Sequence, residues 1–314
     1  MSATPTKKKA LPDIGVTIAG VPFTTPIMTA SGCCGYGEEL ANLFPLSKLG
    51  ALVTKSITAK PRLGHPPPRT AETSAGMLNA IGLANVGVDE FIVQKVPFLA
   101  EQDTNVIVNV AGSSLSEYVE VCAKLNDHDA VDMVELNISC PNVDHGGMEI
   151  GHSADLTQKT VAEVKKVFHR PVIAKLSPNV TDIVMIARAA EQGGADALSL
   201  INSMIGMSVD VNTWRPRLTN NQGGLTGPAI KPIALAKVHK IYGSTRLPII
   251  GIGGISDYRD VVEFLLCGAT AVQIGTGLFV DPDCPVTIAR ELKKYLTQKN
   301  LSSVSELVGK VRKY

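Results

Sequence analysis

The sequence predicts an α/β chain of the (β/α)8 TIM-barrel class, with an N-terminal hairpin and long loops after strands 2 and 6. Three observations carry that expectation: eight short apolar runs, a helix-like segment between most of them, and no low-complexity linker dividing the chain. With 314 residues, 45% of them hydrophobic, the chain can bury a large core, although length alone suits two average domains equally well.

The runs in order are PIMTASG (26–32), ALVTKSI (51–57), VIVNVAG (106–112), MVELNIS (133–139), PVIAKLS (171–177), ALSLINS (197–203), PIIGIGG (248–254) and AVQIGTG (271–277). They are apolar nearly throughout, as parallel strands covered on both faces must be. Between them lie segments such as SLSEYVEVCAKLN, DLTQKTVAEVKKVF and DYRDVVEFLLCG. In the last of these Val261, Val262, Phe264, Leu265 and Leu266 crowd one side, with Gly268 as a stop. Two connections are long, 58–105 and 204–247, and insertions of that size in a barrel read as lids or binding loops. The second half of GHPPPRTAETSAGMLNAIGLANVG suits a hairpin over the barrel mouth. Residues 1–11 read as a disordered tail and 12–314 as a single domain. That domain closes with a terminal helix announced by the capping-box spacing of Ser303 and Glu306.

Thirty basic and twenty-nine acidic residues leave a net charge of +1, which gives no footprint for nucleic acid or an anionic membrane. No apolar run approaches a membrane span and no secretory h-region follows the N-terminus, so a soluble, cytoplasmic protein is expected. The cysteines at 33, 34, 122, 140, 267 and 284 are scattered without metal-ligand spacing, and reduced thiols with no metal site are expected.

In this fold chemistry gathers at the C-terminal ends of the strands. There the sequence places Ser31, Lys55, Ser56, Asn109, Asn137, Cys140, Lys175, Asn202 and Ser203 in otherwise apolar surroundings. An Asn at a strand end is ordinarily a turn-former and a lone Lys can snorkel to water. Two interior lysines are harder to dismiss, because a buried ammonium is costly without an anion. Strands seven and eight end in GIGGI and GTG, and the loops there are the usual phosphate cradle of a barrel. A phosphate at that end, with amides and lysines across the mouth, suits flavin mononucleotide (FMN), whose reduced ring a lysine would stabilise. No GxGxxG opens a helix after the first strand, so the dinucleotide fingerprint is missing. Cys140, followed by Pro141 and Asn142, then begins a loop over the cofactor, and a thiol there can serve as a general base or a nucleophile.

Taken together, ASGCCGYG, VTKSIT, the PPPR loop, MLNAIGLAN, VIVNVAG, ELNISCPNV, IAKLSPN, INSM, GGLTGPAIKP, GIGGI and IGTG resemble the dihydroorotate dehydrogenases. The resemblance implies oxidation of dihydroorotate to orotate in pyrimidine synthesis, with Cys140 removing the C5 proton and the C6 hydride passing to FMN. Ser31, Lys55, Ser56, Asn109, Asn137, Lys175, Ile201, Gly227, Gly253, Gly254, Gly275 and Thr276 match flavin-contacting positions. Lys55, Asn79, Ala80, Ile81, Gly82, Leu83, Asn137, Asn142, Asn202 and Ser203 match positions that hold the substrate. The cysteine at 140 is similar to class 1 enzymes. NAIGL, GGLTGPAIKP and SVSELVGKV look like the NAD-linked class 1B catalytic subunit, despite departures at Ala84, Val86 and the Cys33–Cys34 pair. That likeness implies a homodimeric core joined to a partner subunit carrying FAD and a 2Fe-2S cluster, in a heterotetramer. Alternatives at this level are a fumarate-dependent class 1A enzyme, a dihydropyrimidine dehydrogenase-like flavin subunit, and a non-flavin phosphate-binding barrel lyase.

Overall fold

The computed structural model describes residues 11–138, 150–312 and 314. Eight parallel strands close into a barrel, one from each apolar run: β1 (Ile27–Thr29), β2 (Ala51–Val53), β3 (Asn105–Val110), β4 (Met133–Asn137), β5 (Val172–Leu176), β6 (Ala197–Leu200), β7 (Ile249–Ile252) and β8 (Ala271–Ile274). Each strand pairs with its neighbour in sequence, and β8 returns to β1 through Val272 opposite Ile27 and Ile274 opposite Thr29. Every residue of these strands is buried except Asn105, since helices cover the outside and side chains fill the inside.

The helices start where the sequence supplies caps. Ser153 accepts from the Leu156 amide ahead of Ala154–Val167, and Asp182 accepts from the Val184 amide ahead of Ile183–Gln192. Asp257 and Asp260 form a reciprocal capping box at the start of Tyr258–Leu266. Their apolar faces pack on the barrel in one continuous cluster that includes Val161, Val164, Ile186, Phe264 and Leu265.

Inside the barrel, the two-residue side-chain period of a strand sorts residues into levels. Met133 and Ile107, with Ile173, Ala197 and Ala271, form an apolar floor that joins Ile18 and Phe23. Those two residues belong to the expected N-terminal hairpin, Val16–Ile18 against Val21–Phe23, which plugs the bottom of the barrel. Two residues further along the same strands come Asn109, Glu135, Lys175, Ser199 and Gln273, all buried and polar.

The two long connections meet. Thr70–Thr73 and Gly76–Asn79 form a hairpin, Gly223–Thr226 adds to its inner strand, and Met204–Gly206 completes a four-stranded antiparallel sheet at the mouth. A hairpin was expected from the first connection; its union with the second was not. At the C-terminus the predicted helix is a single 3-10 turn, Val304–Leu307. Its Ser303 and Glu306 capping box is present, but Val308 turns at once to extended backbone and the chain leaves. The long helix near this end is Cys284–Gln298, which precedes it. The tail predicted at 1–11 falls almost wholly outside the described residues.

Candidate active site

A cavity of about 920 Å³ opens at the C-terminal ends of the strands, walled on one side by the inserted sheet. Most strand-end residues singled out in the sequence line it: Ser31, Lys55, Ser56, Asn137, Lys175, Ile201, Asn202 and Ser203. From the inserted sheet and the turn after it come Asn79, Ala80, Ile81, Gly82, Leu83 and Gly227, and from the ends of β7 and β8 come Gly253, Gly254, Gly275 and Thr276. Segments 170 residues and more apart in sequence therefore converge on one space. Cys140 and Asn142 lie outside the described residues. Asn109 is fully buried and stands apart from the lining: its Oδ1 accepts from Ser56 Oγ at 2.5 Å and its Nδ2 donates to Glu135 at 2.6 Å. It supports a lining residue instead of presenting its own amide.

The two lysines have different surroundings. Lys175 donates to Glu135 Oε1 at 3.4 Å, an ion pair with side chains 5% and 0% exposed. The anion that the sequence required for this lysine is thus supplied by the protein, from a residue the sequence reading passed over. Lys55 has no carboxylate partner among the described residues, and burial pushes its pKa below the ordinary lysine value, with Cys33 opposing and Arg69 reinforcing that shift. It is a cation short of an anion and facing a cavity.

Polar edges are held in place. Asn202 Nδ2 donates to Asn137 Oδ1 at 3.2 Å, and the Ser203 amide donates to Asn202 Oδ1 at 2.8 Å. Tyr118 Oη donates to the Asn137 carbonyl at 2.7 Å. Asn179, also overlooked, lines the cavity and ties β5 to the second insertion by donating to the Ser203 carbonyl at 3.0 Å. Asn79 Nδ2 donates to the Gly224 carbonyl at 3.2 Å, a bond between adjacent strands of the inserted sheet that holds the Asn79 amide at the edge of the cavity.

The far side of the cavity is formed by the glycine-rich ends of β7 and β8. Gly253 and Gly254 have φ of +126° and +71°, so the chain after β7 turns with its backbone against the cavity. A Cβ on Gly254 would sit 2.7 Å from Lys231 Cβ and 2.9 Å from the Gly227 carbonyl oxygen. Such successive unencumbered backbone groups make an anion-binding concavity. The donor set fits FMN in kind: a backbone cradle at β7 and β8 for a phosphate, amides and hydroxyls for ring edges, and Lys175 for the electron-rich side of a reduced ring.

Cys33 is a further lining residue not proposed from the sequence. Burial pushes its thiol up to about 11, against the lowering influence of Lys175 and Lys55.

Fold and site together define a closed (β/α)8 barrel whose mouth opens on one polar cavity lined by two lysines, several amides and the glycine-rich ends of β7 and β8. A sequence model of the family described as dihydroorotate dehydrogenase matches residues 14–296. The chain is 51% identical to "Dihydroorotate dehydrogenase B (NAD(+)), catalytic subunit" of a Geobacter species, over 95% of this chain and 98% of that protein. Proteins of the same description from Geotalea daltonii and Listeria monocytogenes are 49% and 48% identical, covering 96% and 94% of this chain and 99% and 97% of theirs. The chain belongs to the dihydroorotate dehydrogenase family, and it is a flavin-dependent oxidoreductase.

Proposed function

We propose that this chain is the FMN-bearing catalytic subunit of an NAD-linked, class 1B dihydroorotate dehydrogenase, which oxidises (S)-dihydroorotate to orotate in pyrimidine synthesis. The observation that carries this reading is Lys55, a half-buried cation with no carboxylate partner among the described residues, set on the same cavity as Asn79, Asn137, Asn202 and Ser203. A small anionic ring bearing carbonyl and N–H edges matches that combination. The names of the relatives include both the reaction and NAD(+).

In this reading residues 12–314 form one FMN-binding domain. Gly253, Gly254, Gly275 and Thr276 hold the phosphate, while Ser31, Ser56, Lys175, Ile201 and Gly227 contact the ring system. Asn109 acts on the ring through Ser56. Bound there, FMN supplies the two-electron acceptor for the hydride that leaves dihydroorotate C6. Lys55 receives the substrate carboxylate, and the turn from Asn79 to Leu83 shapes the pocket beside it. Asn137, Asn142, Asn202 and Ser203 pair with the ring amides, so the C5–H bond is aimed at Cys140. Its thiolate takes the C5 proton, and the C5–H electron pair becomes part of the new C5–C6 double bond as the hydride departs.

The word "subunit" in the relatives' description supports a second protein. We assign to it FAD and a 2Fe-2S cluster, joined to a homodimeric core of this chain in a heterotetramer in the cytoplasm. Among the described residues no helix is long and apolar enough to cross a membrane.

The test is Cys140→Ala in the FMN-loaded chain. Loss of a positioned base slows flavin reduction by dihydroorotate about 10²–10⁴-fold while flavin stays bound. Stopped-flow rates equal to those of the unmodified chain would remove Cys140 from the mechanism.

A further inference from the structure

Glu135 occupies the centre of the polar level beneath the cavity and is fully buried. Four other strands reach it. Asn109 of β3 donates to Oε1 at 2.6 Å and Lys175 of β5 to the same oxygen at 3.4 Å. Ser199 of β6 and Gln273 of β8 each donate to Oε2 at 2.7 Å. Both carboxylate oxygens are thereby used within the barrel, and neither faces the cavity. Through Asn109 the contact continues to Ser56, which lines the cavity, and through Lys175 it reaches the cavity directly.

A carboxylate in this position does two things. It fixes the Lys175 ammonium, since a buried charge keeps to the partner that compensates it. It also offsets that charge, so the cavity sees a balanced pair instead of a bare cation. Among the described residues the titratable group coupled to Lys175 from outside the pair is Cys33, from the loop after β1, and Cys33 in turn feels Lys55, which follows β2. Asn109, Ser199 and Gln273 are neutral.

We infer that Glu135 is a positioning residue that, by anchoring and offsetting Lys175, sets the reduction potential of the bound flavin; this rests on the flavin reading above. Adding electrons to the ring places negative charge beside Lys175. A carboxylate behind that lysine opposes the charge, and removing it favours the reduced flavin.

Glu135→Gln tests this with little change of shape. Gln273 Oε1 is a buried acceptor without a partner among the described residues, so an amide at 135 finds a ready recipient for its N–H. The FMN-loaded full chain is titrated anaerobically at pH 7 against redox dyes, alongside Lys175→Met and the double variant. The charge of the pair is +1 in Glu135→Gln, zero in the double variant and −1 in Lys175→Met, and the midpoint potentials follow that order. Glu135→Gln lies above the unmodified chain by at least tenfold in the reduced-to-oxidised ratio, about 30 mV for a two-electron couple. Flavin bound at an unchanged potential in Glu135→Gln overturns the inference and leaves the flavin reading standing. An unmodified chain that takes up no FMN removes both. Should Glu135→Gln fail to accumulate as folded protein, the double variant has no bare ammonium to bury. Its potential must then exceed that of Lys175→Met, and equal values overturn the inference.

Discussion

Lys55 and Lys175 reach the same cavity, one from the segment after β2 and the other from β5, and their partners separate their roles. Glu135 already compensates Lys175, whereas burial is the main influence on Lys55 and, with Arg69 adding to it, lowers its pKa. An anionic ligand reverses that effect by favouring the charged form. Orotate therefore binds best where Lys55 is protonated, and its affinity falls as pH rises through the lowered lysine pKa. In Lys55→Met binding is weak throughout and that pH slope is lost; isothermal titration of orotate from neutral to alkaline pH measures both. Cys33 shows the same logic with the opposite charge. Held near 11, it is a thiol at neutral pH and an ineffective base, although it lines the cavity. Cys33→Ser keeps the flavin-reduction rate within a few-fold of the unmodified chain, in contrast to Cys140→Ala. A loss in Cys33→Ser matching that in Cys140→Ala would move the base to residue 33. The strand-end residues were legible in sequence because a polar side chain in an apolar run is conspicuous. Glu135 is equally polar, but it lies two residues before Asn137 and belongs to the level below the mouth, so a search of strand ends passed over it.

Among the elements, the barrel strands were readable because parallel strands buried on both faces are continuous apolar runs. The sheet at the mouth was not. Its strands are short, rich in glycine and polar residues, and drawn from two connections whose pairing is a tertiary event. Gly227 stands where this sheet returns to the barrel, with φ +91° and ψ −168°, a region essentially reserved for glycine. A Cβ there would lie 2.7 Å from Gly76 Cα across the sheet. Gly227→Ala therefore costs about 1–3 kcal/mol in backbone strain alone. It lowers the thermal midpoint and releases FMN more readily on dilution, as flavin fluorescence reports. An alanine variant with unchanged midpoint and retention would show that this crossing does not shape the site. The terminal segment teaches the converse: a capping box starts a turn that buries Val304 and Leu307, but Val308 is already extended and the turn ends after four residues.

Across the whole molecule, the barrel interior runs from an apolar floor plugged by the hairpin, through a hydrogen-bonded level centred on Glu135, to an open polar mouth. This gradient lets one chain keep a rigid core and present charge where a ligand arrives. Convergence of the insertions over that mouth places the lysine pocket and the phosphate cradle on one cavity, and the proposed reaction depends on their adjacency. The absorption spectrum of the purified, FMN-loaded chain under anaerobic conditions, recorded before and after adding (S)-dihydroorotate, tests that claim most directly. The account predicts that the yellow flavin band bleaches and that orotate forms in equal amount. A band that persists with dihydroorotate present would contradict it.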